Sequence, residues 1–466
     1  MTWRVRLGRR ILAWLLCVGL VGAMIQVSTP VAALPEGGAV THGDGAMTYA
    51  PDGTNLTVTQ ESDRLIIDWS TFGIGSGESV TFEQRPDQIA LNRVTGTEPS
   101  EIVGQLTAGG QVFLVNPRGI VIGNGAVVDV GGLVASTLEI TNEEFLGAAG
   151  AYTFAGGDAA GLRVDAGAAL TASPGGYLVL LAPRLDNAGS LEAPGGRIGL
   201  GAGVEATLYV DGASFGLVID EAAVEALIHH SGTIVADGGV IVLAARAGDP
   251  ASLVVNHAGL LRARTVEERD GRIILSAGSG KIDAGDGTTE ASRFDLVSGT
   301  WEQKAEELPL FEAGDFRVAE GAGFLRVTGG DGTEESRYRI ADVYGLQGMG
   351  STGMLGWHYE LGGDIDATGT AGWNDGQGFS PVGNSTNRFT GSFDGQGHVI
   401  AGLVIDRPAQ DYVGLFGYAS GILRNVGLQG GSVSGRSRVG SLAGAATTII
   451  SDVFSTLDVS GGDDST

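Results

Sequence analysis

The chain has 466 residues, with 80 glycines, 13 prolines and a formal charge of −26. Acidity on this scale repels phosphates and anionic lipid, which sets nucleic acid aside as a partner. Glycine far above its usual ~7%, among 43% apolar residues, excludes a disordered linker and implies many short strands joined by tight turns, an all-β chain.

Residues 1–33 read as a secretory leader. Arg4, Arg6, Arg9 and Arg10 make a basic start, residues 11–25 an apolar core, and Val31, Ala32 and Ala33 a small-residue site for cleavage between Ala33 and Leu34. The apolar core is shorter than the ~20 residues of a membrane span, so no stable membrane insertion of the mature chain is expected. The single cysteine, Cys17, lies in the leader, which leaves the mature chain without a disulfide or a cysteine metal ligand. A chain that crosses a second membrane unfolded is helped by having no crosslink to form.

Trp69 and Phe72 in "IIDWSTFGIG" offer either an exposed recognition surface or packing that covers the first open end of the fold; the second reading is preferred. Residues 111–137, "QVFLVNPRGIVIGNGAVVDVGGLVAST", then show the architecture. Residues 112–115 form an apolar strand. Asn116, Pro117, Arg118 and Gly119 suit the four corners of a type I turn. Residues 120–122 form the next strand, 123–125 the next turn, and 126–130 a third strand ending at Gly131 and Gly132. Three strands and three corners in so few residues make one coil of a parallel β-helix.

The coil recurs in residues 165–182, 187–203, 230–246 and 257–278, with early glycines at Gly167, Gly189, Gly232 and Gly259. The gap of 43 residues between Gly189 and Gly232 implies an insertion. Asp220 as cap, with Val224, Leu227 and Ile228 on one face, predicts a short helix there. His229 and His230 at its end are read as structural rather than as metal ligands, because adjacent helical residues point apart. From 292 to 344 the rhythm is lost, which predicts an irregular joint. A second periodic region spans 345–466, where Val413 and Val439, and Val433 and Val459, are each 26 residues apart. Asp364, Asp366, Asp394 and Asp406 are the best acidic group for a cation or a sugar, with His398 beside Asp394; the preferred reading is a solvated face. The last coil carries Val453, Phe454, Leu457 and Val459 with only "GDDST" after it, so a chain cut from a longer protein, or a frayed terminus, is expected.

Residues 34–278 resemble the secretion domain of filamentous-haemagglutinin-like exoproteins, the passengers of bacterial two-partner secretion. The runs that carry the likeness are "LPEGGAVTHG", "IIDWSTFGIGSGESVTF", "ALNRVTGTEPSEIVGQL" and "GQVFLVNPRGIVIGNGAVVDVGGLVAST". The resemblance implies a right-handed parallel β-helix and a partner barrel in the outer membrane that recognises the unfolded N-terminal domain. The family's Asn-Pro-Asn-Gly turn falls on Asn116, Pro117 and Gly119, with Arg118 in place of the second Asn. Asn92 and Arg93 match a second stretch of the family pattern, and no other Asn-Pro pair occurs in the chain. The run 414–417, Gly-Leu-Phe-Gly, and "FTGSFDGQGHVIAGLVID" are similar to the GLUG repeats of bacterial surface proteins.

The sequence therefore reads as a leader (1–33), a secretion-domain β-helix (34–291) with one short inserted helix, a joint (292–344) and a second β-solenoid of GLUG-like repeats (345–466). The implied function is export through an outer-membrane transporter, followed by adhesin-like contact at the cell surface, with cell-surface glycans as candidate ligands. No catalytic, cofactor or metal residues are assigned, because no nucleophile, zinc or phosphate-loop motif occurs. Two rivals stay open. A polysaccharide-processing enzyme would need carboxylates and a basic residue clustered in one groove. The stem of a contact-dependent toxin would need a distinct C-terminal domain.

Overall fold

The computed structural model describes residues 33–147, 150–156, 160–211 and 214–462. The basic start, apolar core and Cys17 of the leader lie outside these residues, as do Asp463 and Asp464.

Twenty-four strands between Ala39 and Val327 form one sheet that winds into a solenoid. Pairing from coil to coil is parallel, and each coil adds one residue to each inward column. One such column runs Ala90, Val112, Leu133, Leu178, Ile198, Ile241, Ile273, Phe294 and Phe316 in register. Every member is buried, so stacking supplies the core that no single coil has. The first rung is covered by antiparallel strands: Ala39–His42 pairs with Arg64–Trp69, and Gly45–Tyr49 with Asn55–Gln60. This blunts an edge that would otherwise invite further pairing. Trp69 and Phe72 are buried edge to face beneath this cover, their centroids 5.7 Å apart, as the packing reading expected.

The glycines of the repeat form columns set by space. A Cβ on Gly232 would lie 2.1 Å from the carbonyl oxygen of Gly189, and one on Gly259 would lie 2.2 Å from that of Gly232. Gly131 belongs to a similar column, its Cβ position 2.6 Å from the Gly110 carbonyl oxygen, whereas a Cβ on Gly132 would meet the Tyr177 ring at 2.8 Å. The third strand does not end there but runs unbroken as Val127–Ser136, with a register shift between Val130 and Gly132. A double glycine inside a strand marks a bend with close backbone approach, and here it bends the strand from one face to the next.

The unalternated run 112–115 has its explanation in a second layer. Val112 and Leu114 face the solenoid core, while Phe113 and Val115 face outward into a separate apolar cluster. That cluster lies under a three-stranded antiparallel sheet of Ala151–Ala155, Glu205–Asp211 and Ser214–Glu221. A strand buried on both faces loses its alternation. The insertion between Gly189 and Gly232 thus supplies a hairpin, and the helix expected from Asp220 is absent. Val224 is 90% exposed, whereas Ile228 is buried in strand Leu227–His230, paired with Leu185 and Val255. Open backbone on both neighbouring coils overrides a weak local preference for helix. Two short α-helices are described elsewhere, Asn142–Gly147 and Val343–Gly348. Thr141 caps the first through Glu144 N–H and Asp342 the second through Gly345 N–H.

The segment 292–344, expected to be irregular, is mostly ladder. Strands Thr288–Lys304, Phe311–Val318 and Gly323–Val327 continue the solenoid in parallel register. Its core turns aromatic, with Phe294 stacked on Phe316 and Trp301 on Phe324. Its outer face carries facing charges such as Arg293 and Asp315. Both changes hide the aliphatic period. After Val327 a seven-stranded sheet takes over, beginning with Tyr338–Ile340. Val413 pairs with Val439 and Val433 with Val459, so the 26-residue spacing is one turn of solenoid.

Candidate functional site

The four-residue turn after strand Gln105–Val115 divides its side chains between two tasks. Asn116 is fully buried. Its Nδ2 donates to the Glu98 carbonyl and to Ser100 Oγ, each at 3.0 Å, and its Oδ1 accepts from Arg118 N–H at 2.9 Å. Gly119 N–H closes the turn on the Asn116 carbonyl at 3.1 Å. Gly119 has φ +120°, which L side chains rarely adopt. The Asn116 side chain thus ties its own turn to the segment at 98–100, while Pro117 is half-exposed and Arg118 exposed.

Asn92 and Arg93 divide in the same way. Asn92 is buried, accepting from Trp69 Nε1–H at 3.0 Å and donating to the Phe113 carbonyl at 3.4 Å. Arg93 points outward and grips Asp68 through Nε at 2.9 Å and Nη2 at 3.1 Å. Its Nη1 donates to Asn142 Oδ1, which ties the solenoid to the first turn of helix Asn142–Gly147. Arg93, Pro117, Arg118 and Glu139 line one cleft of about 510 Å³. Two stretches picked separately in the sequence, 23 to 26 residues apart, therefore meet on one surface because one coil separates them. Glu98, Ser100, Asp68 and Glu139 were missed. Their roles come from neighbouring coils, and only the coil length would have pointed to them.

The other candidates have structural partners. Asp364 and Asp366 are exposed on either side of buried Ile365. His398 Nδ1 lies 3.1 Å from Asp364 Oδ1 rather than beside Asp394. Asp394 is buried and accepts from Arg424 Nε at 2.8 Å and Asn425 Nδ2 at 3.0 Å. Asp406 is exposed. Among the described residues no three His, Cys, Asp or Glu side chains are placed to hold a metal ion. Ala33 is exposed and Leu34 buried in the first rung.

His230 is fully buried and stacks on His257 with centroids 5.5 Å apart and planes 2° apart. Its ring nitrogens meet Asn187 Nδ2 at 3.2 Å and the Leu260 carbonyl at 3.1 Å. Burial pushes His230 down to about 4 and His257 down to about 3, so both rings are neutral at pH 7. Half-buried His229 points to the other side of the strand.

The chain is similar to several known proteins. The family model described as the TPS secretion domain matches residues 32–302. The heme/hemopexin-binding protein of Haemophilus influenzae is 32% identical over 253 residues, which is 52% of this chain and 27% of that protein. Halomucin of Haloquadratum walsbyi is 43% identical over 150 residues, 30% of this chain and 2% of that protein. The matches span about a quarter or less of those relatives. Among solved structures, the HMW1 secretion domain from Haemophilus influenzae superposes with a TM-score of 0.46 at 22% identity, covering 90% of this chain and 100% of its own. The filamentous hemagglutinin secretion domain gives 0.39 at 16% identity, covering 63% and 99%.

Proposed function

This chain belongs to the TPS secretion-domain family, and on that premise we propose that it is an exoprotein delivered to the cell surface through a dedicated outer-membrane barrel. The first 33 residues act as the export leader, removed between Ala33 and Leu34. The barrel reads the N-terminal region as it emerges, and the finished solenoid then acts as an adhesin-like, haemagglutinin-like surface protein in contact with glycans. The chain is read as non-catalytic. Residues 345–466 are read as GLUG-type repeats that form a second β-solenoid.

The observation that carries the reading is the turn at 117–118, which is held outward at the surface. Asn116, Ser100 and Asn92 are buried and serve folding. Pro117 and Arg118 are held outward beside Arg93, and they contribute little to the core. Arg93 is balanced there by Asp68, and Glu139 lines the same cleft, so the turn offers a partner an outward-held polar corner rather than net positive charge. The short polar turn is also local in sequence, so it is available to a partner before the coils have stacked.

The test is co-expression with the cognate barrel. Pro117→Ala and Arg118→Ala should each lower export severalfold, with purified stability shifted by no more than about 1 kcal/mol. Normal export of both variants would remove the recognition role. Mass spectrometry of exported material should find Leu34 at the N-terminus.

A further inference from the structure

Two adjoining clefts lie outside the region described above. The larger, about 820 Å³, is bounded by residues 264–272 on one side and 372–375 on the other. Successive rungs make its floor, with Glu290 in register with Glu312 and Arg293 with Asp315. The smaller, about 550 Å³, is lined by Gln347, Asn374, Asn384, Asn387 and Pro381, with the Gln347 amide held by Ser380 and the Asn374 amide by the Gly378 carbonyl. They adjoin where Arg317 binds both Asp315 and Asp375 and where Asp315 accepts from Asn374 N–H at 2.7 Å.

We propose that these clefts form one groove that binds a neutral polysaccharide, laid along the solenoid axis. It gives a place to the surface-contact half of the function proposed above and rests on that half alone. Three features carry it. The polar groups are fixed beforehand: Arg264 is paired with Glu290, while Arg272 and Arg293 share Asp295 at 2.6 and 2.8 Å. Donors therefore stand beside acceptors in a rigid array, which suits neighbouring sugar hydroxyls that both give and take hydrogen bonds, at small cost in ordering.

The charge selects against a polyanion. In the larger cleft the carboxylates Asp270, Glu290, Glu312, Asp315 and Asp375 outnumber three arginines. Uronate or sulfate groups would be repelled, and hydroxyl-rich neutral sugars would not. The floor also repeats. Adjacent rungs lie ~4.8 Å apart, so similar positions recur along the groove, which fits a repeating ligand better than a compact one. The Arg317 guanidinium holds Asp375 below the usual carboxylate range, so this carboxylate stands in the groove as an ionised acceptor.

The test is isothermal titration of the mature chain with cellohexaose, maltohexaose and mannohexaose, and with oligogalacturonate and a heparin hexasaccharide as polyanions. At least one neutral hexasaccharide should bind, with affinity little changed by added salt, and the polyanions should not. Glu312→Ala and Asn387→Ala, both at exposed positions, should each weaken binding about fivefold, the worth of one net hydrogen bond. Asp129→Ala, exposed on an earlier coil, should bind as the parent does. Failure of all three neutral sugars, binding of polyanions only, or unchanged affinity in both groove variants would overturn the proposal. Absence of neutral-sugar binding by the exported parent chain removes the groove alone, and normal export of Arg118→Ala with sugar binding intact removes the recognition role and leaves the groove standing.

Discussion

The first coils and the last differ in how many sides of a strand are covered. Strand Gln105–Val115 buries Val112 and Leu114 against the solenoid core and Phe113 and Val115 under an added antiparallel sheet. Antiparallel strands also close the first rung. At the other end, Ile450–Ser455 and Asp458–Gly461 pair on one side only among the described residues. There Ile449 is 66% exposed and Phe454 55% exposed. Among the described residues one repeating geometry is therefore covered to different degrees, and the difference lies in what is laid over the coil. In a solenoid whose coils touch only their neighbours, such differences stay local.

The sharpest way to break this comparison is Phe113→Ala. Phe113 packs within 5.1 to 6.2 Å of Tyr152, Phe145 and Phe154, and its loss should cost about 3–5 kcal/mol in chemical denaturation. A loss near that of a surface change would mean that the added sheet contributes little.

The next effect is in pH. Each unfolded imidazole titrates near ~6.5, while burial holds His230 to about 4 and His257 to about 3 in the fold. Between these values the unfolded chain binds protons that the folded chain does not. Stability is therefore full above pH ~6.5 and falls as the pH drops, by about 2 kcal/mol per histidine at pH 5. Urea titrations at pH 7 and 5 measure it, and equal midpoints would contradict the neutral stack.

Smaller still, Asn116→Ala should cost about 1–2 kcal/mol, because it leaves the Glu98 carbonyl and Arg118 N–H without their partner. Thermal melts compare it with Ile449→Ala in the last coil, which should stay within ~0.5 kcal/mol.

Much of this contrast could be read in the sequence, and its limits have physical causes. The corner at Asn116 was legible because Pro and Gly fix a turn locally, and the 26-residue spacing of Val413 and Val439 because each coil repeats its inward residue. The added sheet was not legible, since it joins Ala151–Ala155 to strands more than fifty residues on. The helix expected at Asp220 failed because ladder partners outweigh propensity over so short a stretch. The ladder through 292–327 was hidden by aromatic core residues and by charges that face one another across coils. The cleft at Arg93 and Arg118 was half legible: its residues stood out one by one, but their meeting depends on the length of a coil.

The measurement closest to the central claim is photocrosslinking during export. A photoreactive residue placed at position 118, and in a separate chain at position 129, is activated in cells that make the cognate outer-membrane barrel. The account predicts a crosslink to the barrel from position 118 that is several times stronger than from position 129, and weaker when Pro117→Ala is added. Equal yields from the two positions, or none from position 118 while export proceeds, would contradict it.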